Sequence, residues 1–198
     1  MTALVRRVVL ATHNAHKVQE LRKILGAALD GIELVAYDGP EPVEDGDTFE
    51  ANALIKARAA FKHTGLPSIA DDSGISVDAL GGAPGIHSAR YAGTRVDADN
   101  VTLLLQNLDG VANRDAAFVC AAAFVFGETE HVVRGEWQGT VLEQPVGPNG
   151  FGYDPVFKPA GLSVSSAELR PDEKNAISHR AIAFEKLMPF VREQLAEL

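Results

Sequence analysis

Short apolar runs alternate with amphipathic segments through the first half of the chain. Residues 5–11 are rich in Val and Leu and predict a buried strand, and residues 32–37 predict a second one. Residues 16–29 place apolar side chains three and four positions apart, which predicts a helix between these strands. A second helix is predicted over residues 49–63, with Thr48 as its N-cap. This order of elements is typical of the α/β class.

The second half of the chain predicts longer strands. Residues 67–78 are apolar near both ends and polar at 71–74, which predicts a strand broken by a polar turn. Residues 116–126 and 131–143 predict two strands that are joined at 127–130 as a hairpin. A hairpin that follows alternating strands and helices favours a mixed sheet.

Two further helices are predicted. One holds several leucines and has Asp97 or Asp99 as its cap. The other spans residues 177–197 and contains Pro189, which should kink or divide it. We therefore expect an α/β fold with a mixed sheet flanked by helices, in a single domain over residues 1–198 that has two lobes.

Composition narrows the class of protein. The 198 residues are 46% hydrophobic, which is enough for a sizeable core, and 23% charged, which excludes wholesale disorder. Asp and Glu outnumber Lys and Arg by 27 to 18, which argues against a nucleic-acid partner but leaves a nucleotide open. The single cysteine, Cys120, cannot form an intrachain disulfide, and no apolar run suits a signal peptide or a membrane span. We expect a cytoplasmic protein with no membrane partner.

A polar loop between the first strand and the first helix suits an anion. It reads Thr12-His13-Asn14, with Lys17 in the first turn of the helix. Unpaired backbone N–H groups at a helix N-terminus attract phosphate, and Lys17 would add a full positive charge. On spacing alone the alternative, a plain N-cap with a solvated lysine, is the more common arrangement.

Two adjacent carboxylates, Asp71 and Asp72, follow an apolar run. They repel each other unless a cation is present, and Mg²⁺ prefers such hard oxygen ligands. Neighbouring side chains on a strand point to opposite faces, so we expect only one of the two in a site. The alternative, an Asx-turn that leads into Gly74, explains the pattern equally well. The acidic loop 41–47 can add a ligand, although nothing in the loop itself favours Glu44 over its neighbours.

A glycine-rich loop over residues 147–155 presents two aromatic rings. Phe151 and Tyr153 lie on either side of Gly152, so a nucleotide base can stack on a ring. Asp154 precedes a proline and is held extended as a fixed acceptor. The alternative is that the rings fill the core, which is a strong explanation for one ring and a weak one for both.

Positive side chains gather where the last helix begins. Lys174, His179 and Arg180 lie within two turns, with Ser178 as a helix cap. Cations at a helix start oppose the helix dipole, so a bound anion or base explains them better than helix stability does. The alternative is a solvated helix start.

Taken together, these segments resemble the inosine triphosphate pyrophosphatase family, whose members hydrolyse non-standard purine nucleoside triphosphates. The resemblance rests on six motifs that follow one another along nearly the whole chain. They are Leu10-Ala11-Thr12-x-Asn14-x-x-Lys17, Thr48-Phe49-x-x-Asn52-Ala53-x-x-Lys56-Ala57, Ala70-Asp71-Asp72-Ser73-Gly74, Gly85-x-x-Ser88-Ala89-Arg90-Tyr91, Gly150-Phe151-Gly152-Tyr153-Asp154-Pro155 and Ser178-His179-Arg180. Each motif alone is weak, but six in the same order make a specific match.

The resemblance implies an elongated α/β fold with a long mixed sheet and a central cleft between two lobes. Members of the family are usually homodimers. The resemblance also implies Mg²⁺-dependent hydrolysis of ITP, dITP and XTP to the monophosphate and pyrophosphate, an activity that cleanses the nucleotide pool.

The resemblance further implies roles for individual residues. Asp72 matches the catalytic carboxylate and a metal ligand, and Glu44 aligns with the second acidic metal ligand. The segment from Thr12 to Lys17 matches the triphosphate-binding loop. The implied substrate contacts are Thr12, His13, Asn14, Lys17, Lys56, Ser73, Phe151, Gly152, Tyr153, Asp154, Lys174, His179 and Arg180.

We hypothesise that water attacks the α-phosphorus of the triphosphate and that pyrophosphate leaves. Asp72 would accept the proton, and Lys17 and Lys56 would neutralise charge in the transition state. Donors from His179 or Arg180 would meet the C6 carbonyl of hypoxanthine and xanthine, where adenine has an amino group. Two alternatives stay open: another nucleotide hydrolase of similar architecture, and a non-catalytic nucleotide sensor.

Overall fold

Residues 6–197 are described by the computed structural model of the chain. The strands are β1 (Arg6–Leu10), β2 (Ile32–Ala36), β3 (Ser68–Val77), β4 (Asp115–Phe126), β5 (Thr129–Val141) and β6 (Phe157–Pro159). They form one six-stranded sheet in the order β2-β1-β3-β4-β5-β6. β1 runs parallel to β2 and β3, whereas β5 and β6 are antiparallel, so the sheet is mixed as predicted.

Helices flank the sheet. They are α1 (Ala15–Leu25), α2 (Phe49–Thr64), α3 (Asp97–Asn107), α4 (Pro171–Ile177) and α5 (His179–Ala196). Short 3₁₀ turns lie at Gly26–Leu29, Asp78–Leu80, Gly85–Arg90, Asp154–Val156 and Ser166–Glu168. The predicted α/β class is therefore confirmed. Over residues 6–197, none of the helices combines the length and the apolar character that crossing a membrane requires.

The first half of the chain folds close to prediction. β1 and β2 confirm the first two predicted strands, although Val5, which the prediction included, lies outside the described residues. α1 ends at Leu25, earlier than predicted, because Gly26 leaves the helical conformation with φ of 35°. Thr48 caps α2 as predicted, and its hydroxyl accepts a hydrogen bond from the Ala51 N–H at 3.1 Å.

β3 corrects one prediction. The polar break expected at residues 71–74 is absent, and so is the Asx-turn, because β3 continues from Ser68 to Val77. Both carboxylates in this stretch are buried, and each contacts a lysine from elsewhere in the chain. Long-range ion pairs therefore allow two aspartates to occupy a strand interior, where local preference alone predicts a turn.

Neither Asp97 nor Asp99 caps α3, contrary to prediction. The N-cap is Val96, whose side chain makes no capping hydrogen bond. Asp99 instead accepts a hydrogen bond from the Thr94 hydroxyl at 2.8 Å. Asp97 accepts one from the Gly152 N–H at 2.7 Å, across 55 positions of sequence.

The C-terminal helical region divides at a different place from the one predicted. α4 ends at Ile177, its C-cap Ser178 has an extended backbone with ψ of 162°, and α5 begins directly afterwards at His179. α5 then continues through Pro189 without dividing. Leu187 and Val191, on either side of the proline, are fully buried, and that burial offsets the hydrogen bond that proline removes.

The described part of the chain forms two compact units. The first consists of residues up to Asp72, residues 120–135, and residues from Arg180 onward; the second consists of residues 73–119 and 136–179. The strands β3, β4 and β5 each contribute residues to both units. Each unit has its own apolar core.

The two cores differ in their composition. The core of the first unit is mostly aliphatic and includes Val8, Leu10, Leu21, Ile69, Phe124, Phe184, Leu187 and Leu195. The core of the second unit holds more aromatic rings and includes Ile75, Leu104, Leu108, Phe118, Trp137, Tyr153, Val156 and Phe157. Both cores draw on β3 and β4, which are buried along nearly their whole length, and on apolar side chains of neighbouring helices.

Candidate active site

The loop after β1 is held in shape by its own side chains. The Thr12 hydroxyl accepts a hydrogen bond from the Asn14 N–H at 3.1 Å. The Asn14 side chain caps α1 by accepting from the N–H groups of His16 and Lys17, at 3.0 and 3.2 Å. The N-cap alternative is thus correct for Asn14, and the cap preforms a loop at a helix N-terminus, where anions bind favourably.

The neighbouring His13 is placed by an aromatic contact. Its ring centroid lies 5.2 Å from that of Tyr37 at a tilt of 44°. The Tyr37 ring meets His63 edge-on at 5.7 Å, and its hydroxyl donates to the Pro40 carbonyl oxygen at 2.8 Å. The backbone around the predicted phosphate loop is therefore supported by ring packing in the first unit.

Lys17 is not the solvated lysine of the alternative explanation. Its Nζ lies 3.1 Å from Asp71 Oδ2, and only 15% of its side chain is exposed. Arg180 donates to the same oxygen from Nε and Nη2, each at 3.3 Å. Arg180 Nη1 also donates to Glu20 on α1. One buried carboxylate therefore joins α1 to the start of α5 through two cations.

Asp71 stays ionised although its carboxylate is fully buried. Burial alone would raise its pKa, but Lys17 and then Arg180 outweigh that effect and hold the pKa well below its usual range. Burial would likewise lower the pKa of Arg180, and Asp71 and Glu20 raise it above its usual value. Cys120 Sγ lies 3.9 Å from Asp71 Oδ2, and burial raises the pKa of that thiol, so Cys120 stays protonated.

Asp72 and Glu44 meet at a single ammonium group. Lys56 Nζ on α2 lies 2.9 Å from Asp72 Oδ1 and 3.2 Å from Glu44 Oε2. Burial would lower the pKa of Lys56, but the carboxylates of Asp72, Asp71 and Glu44 outweigh it and raise that pKa. Lys56 is therefore a fixed positive charge between two carboxylates that the family resemblance implies as ligands of one metal ion.

Asn52 positions the acidic loop against the same strand. Its Oδ1 accepts a hydrogen bond from the Gly46 N–H at 2.9 Å, which ties the loop to α2. Its Nδ2 faces Asp72 Oδ2 at 3.5 Å. Asn52 is 3% exposed, so it is a buried support for the loop that carries Glu44.

The carboxylates of the first unit fit a hard divalent cation that is shared with a ligand. No group of three or more His, Cys, Asp and Glu side chains that could hold a metal occurs among residues 6–197. Mg²⁺ typically binds one or two protein carboxylates and completes its shell with water and substrate phosphates. Asp72 and Glu44, both in contact with Lys56, suit that kind of site and do not suit a closed structural zinc site.

Asp154 is the centre of the polar contacts in the second unit. Its Oδ2 lies 2.7 Å from Lys174 Nζ and accepts a hydrogen bond from the Phe151 N–H at 2.9 Å. Its Oδ1 accepts from the Ser166 hydroxyl at 2.8 Å. Both side chains of the ion pair are at most 6% exposed. Asp154 thus acts as a fixed acceptor, but it begins the 3₁₀ turn Asp154–Val156 and is not extended as the sequence predicts.

Phe151 is held by the same ion pair. The Lys174 ammonium lies 4.9 Å from the centroid of the Phe151 ring, which is a cation–π contact. Gly150 must be glycine, because its φ is 74° and an added Cβ would lie 2.1 Å from Asp154 Oδ2. We call residues 150–154 the aromatic loop. Asp154 fixes the backbone of this loop through the Phe151 N–H, and it fixes the Phe151 ring through Lys174.

Tyr153 fills the core, as the alternative explanation expects for one of the two rings. It is 5% exposed and belongs to the apolar cluster of the second unit. Its hydroxyl donates to the Ser88 carbonyl oxygen at 2.7 Å, and burial raises its pKa. Of the two rings, Phe151 is the one that is only partly buried.

The remaining predicted residues of the second unit are His179, Ser178 and Ser73. The His179 ring is buried and stacks on Phe118, with centroids 4.8 Å apart and planes at 15°. Ser178 directly precedes it at the end of α4 and is buried. Ser73 follows Asp72 in β3 and is partly buried. The alternative of a solvated helix start is therefore wrong for His179.

The structure groups the predicted residues by unit. The first unit contains Thr12, His13, Asn14, Lys17, Glu44, Lys56, Asp72 and Arg180; the second contains Ser73, Phe151, Gly152, Tyr153, Asp154, Lys174 and His179. We call the residues of the ion pairs around Asp71 and Asp72 the aspartate cluster: Lys17, Glu20, Glu44, Lys56, Asp71, Asp72 and Arg180.

Several supporting residues were not predicted. They are Glu20, Asn52 and Ser166, and each contacts a predicted residue. Asp71 was a candidate in the sequence, but only Asp72 of the pair was assigned to the site. Asn52 lies in a quoted motif four positions before Lys56, so the sequence carried a signal for it. Glu20 follows Lys17 by three positions and shares its helix face, which is the spacing that could have shown it.

The sequence matches known proteins along almost its full length. The model described as the Ham1 family matches residues 8–190. The dITP/XTP pyrophosphatase of Leifsonia xyli subsp. xyli is 55% identical over 190 residues, which cover 94% of this chain and 96% of the relative. The dITP/XTP pyrophosphatase of Mycobacterium tuberculosis is 51% identical over 198 residues, which cover 96% of this chain and 97% of the relative.

Solved structures are similar as well. A HAM1 protein from Coxiella burnetii gives a TM-score of 0.87 at 40% identity, covering 95% of this chain and 99% of that one. A nucleoside-triphosphatase / dITP/XTP pyrophosphatase from Mycobacterium abscessus gives a TM-score of 0.76 at 46% identity, covering 93% and 99%. The mixed sheet and its helices are therefore those of the Ham1 structures.

The buried pair in the second unit predicts a stability effect. Lys174→Met is expected to lower the free energy of unfolding by about 3–5 kcal/mol, because Asp154 would be left as an uncompensated buried charge. Urea denaturation followed by circular dichroism measures it. Adding Asp154→Asn removes that charge and should restore part of the loss.

A matched control uses Lys23→Met, since Lys23 is an exposed lysine at the end of α1. Its substitution should change the free energy of unfolding by less than about 0.5 kcal/mol. Equal effects of Lys174→Met and Lys23→Met would contradict the buried pair.

Proposed function

The chain belongs to the Ham1 family, and from that premise we propose that it hydrolyses dITP, XTP and ITP to the nucleoside monophosphate and pyrophosphate. Relatives that are about half identical to it over nearly their whole length are dITP/XTP pyrophosphatases. The chain is accordingly a nucleoside triphosphate pyrophosphatase, a hydrolase of non-standard purine nucleotides. The structural observation that carries the proposal is the contact of Lys56 with both Asp72 and Glu44.

The aspartate cluster supplies what hydrolysis of a triphosphate needs. A water oxygen attacks the α-phosphorus, the bond from that phosphorus to the α–β bridging oxygen breaks, and pyrophosphate leaves with the bridging oxygen. Asp72 takes the proton of the water. Lys17 contacts Asp71 and Lys56 contacts Asp72, and the positive charges of the two lysines neutralise the phosphoryl oxygens as negative charge builds up.

Asp72 and Glu44 are the residues that would hold Mg²⁺. When bound there, the ion polarises a phosphoryl oxygen and lowers the pKa of bound water. Because Lys56 contacts the same two carboxylates, it holds them near each other and adds positive charge to the same place. The positive charge of Lys56 also attracts the phosphate groups of a nucleotide, so the site suits a metal ion together with phosphate better than a metal ion alone.

The aromatic loop supplies what a purine base needs. The partly buried ring of Phe151 offers a face for stacking, and Lys174 fixes that ring. His179 is a buried imidazole on Phe118, and a donor from it would match the C6 carbonyl of hypoxanthine or xanthine. Adenine would place an amino group against such a donor and leave buried polar groups unpaired, which disfavours ATP.

Arg180 has a supporting role in this proposal beside its predicted substrate contact. Its guanidinium binds Asp71 and Glu20, so it anchors the carboxylate that also holds Lys17. Thr12, His13 and Asn14 shape the loop that binds phosphate. Ser73, through its hydroxyl, and Gly152, through its backbone, contact the substrate in this proposal. The proposal also includes a homodimer and a cytoplasmic location, where the nucleotide pool is found.

A nucleotide panel tests the proposed reaction. With Mg²⁺, dITP, XTP and ITP should each give the monophosphate and pyrophosphate, and ATP and GTP should react far more slowly. Ion-exchange chromatography identifies the products. Turnover should stop with a chelator and return with added Mg²⁺. Release of orthophosphate would show a different hydrolase, and tight dITP binding without turnover would show a sensor; either result contradicts the proposal.

Asp72→Asn tests the proposed proton acceptor. We expect kcat for dITP to fall by at least about 100-fold, because the amide cannot take the proton of the water. The melting temperature is measured alongside to show that the variant folds. Asp78→Asn, an exposed aspartate just beyond β3, is the matched control and should retain full turnover. Turnover of Asp72→Asn near the normal rate would remove Asp72 from the reaction.

A further inference from the structure

Asp97 makes a contact that its place in the sequence does not explain. It is the first residue of α3 and does not cap that helix. Its Oδ2 accepts a hydrogen bond from the Gly152 N–H at 2.7 Å, although the two residues are 55 positions apart. Hydrogen bonds from a backbone N–H to an ionised carboxylate are among the stronger ones in proteins. The contact ties α3 to the aromatic loop within the second unit.

Two carboxylates hold two successive amides of the aromatic loop. Asp154 accepts from the Phe151 N–H at 2.9 Å, and Asp97 accepts from the Gly152 N–H at 2.7 Å. Gly152 itself has φ of 60°, a conformation in which glycine carries no steric cost. The peptide group between Phe151 and Gly152 therefore has little freedom to rotate while both carboxylates are in place.

Asp154 and Asp97 differ in what else they do. Asp154 is buried and pairs with Lys174, so removing it would disturb the core of the second unit. Asp97 is exposed, and it also raises the pKa of the Tyr153 hydroxyl after burial and Tyr91, which places its charge close to the loop. The side chain of Asp97 can therefore be removed without disturbing the core, whereas that of Asp154 cannot.

We propose that Asp97 is a positioning residue for base recognition, which acts by fixing the Gly152 amide and so the orientation of the Phe151 ring. The inference rests on the proposed function, in which that ring stacks on the purine base. A ring in the right orientation before binding loses less conformational freedom when the base arrives. Asp97 therefore contributes to binding of the base and not to chemistry at phosphorus.

Asp97→Ala tests the inference. We expect the KM for dITP to rise about fivefold with kcat unchanged, since one hydrogen bond contributes about 1 kcal/mol net. Asp97→Asn keeps an acceptor oxygen for the Gly152 N–H and should restore most of the affinity. The inhibition constant of inorganic pyrophosphate, which has no base to stack, should stay unchanged in both variants.

Asp99→Ala is the matched control. It removes the same charge from the first turn of α3, but Asp99 contacts Thr94 and not the aromatic loop. A rise in KM equal to that of Asp97→Ala would assign the effect to the helix dipole and overturn the proposal. A weaker pyrophosphate inhibition in Asp97→Ala would show general damage and would also overturn it.

Hydrogen–deuterium exchange separates this inference from the proposed function. The peptide over residues 147–156 should exchange faster in Asp97→Ala than in the unsubstituted protein, and Asp97→Asn should restore protection. Unchanged exchange together with an unchanged KM refutes the role of Asp97. If the unsubstituted protein hydrolyses none of the nucleotides, the proposed function fails and with it the base-recognition role, while the exchange still shows whether Asp97 holds the loop.

Discussion

Two neighbouring carboxylates inside β3 impose the constraint on which the first unit depends. Asp71 and Asp72 are both buried, and a buried charge is costly unless a cation of the protein lies against it. Lys17 on α1 and Arg180 on α5 lie against Asp71, and Lys56 on α2 lies against Asp72. Three helices are thereby brought to one short stretch of strand.

The same constraint suits this stretch to the proposed reaction. Cations that neutralise the aspartates are also the groups that a triphosphate needs, since each phosphoryl oxygen brings negative charge of its own. Lys17 and Lys56 are largely buried and fixed by carboxylates, so the proposed binding of a triphosphate would need little reorganisation of these side chains. The second unit repeats the principle with Asp154 and Lys174, whose ion pair orders the aromatic loop.

Local pattern predicted most of the elements and few of the contacts. The apolar periodicity of β1 and the capping signal at Thr48 act over a few residues, so both are visible in the sequence. β3 was predicted to break because Asp and Ser favour turns, and the cations that keep it extended come from distant segments. Asp97 looked like a helix cap because its true partner, Gly152, lies 55 positions away. The residue types of the site were therefore predictable through the motifs, whereas their pairings depend on tertiary contacts.

Isotope labelling tests whether water attacks the α-phosphorus, as proposed for the aspartate cluster. Hydrolysis of dITP in water enriched in ¹⁸O, followed by mass spectrometry of both products, reports which phosphorus the water attacks. We expect one ¹⁸O atom in the dIMP phosphate and none in pyrophosphate. Label in the pyrophosphate would show attack on the β-phosphorus and would contradict it.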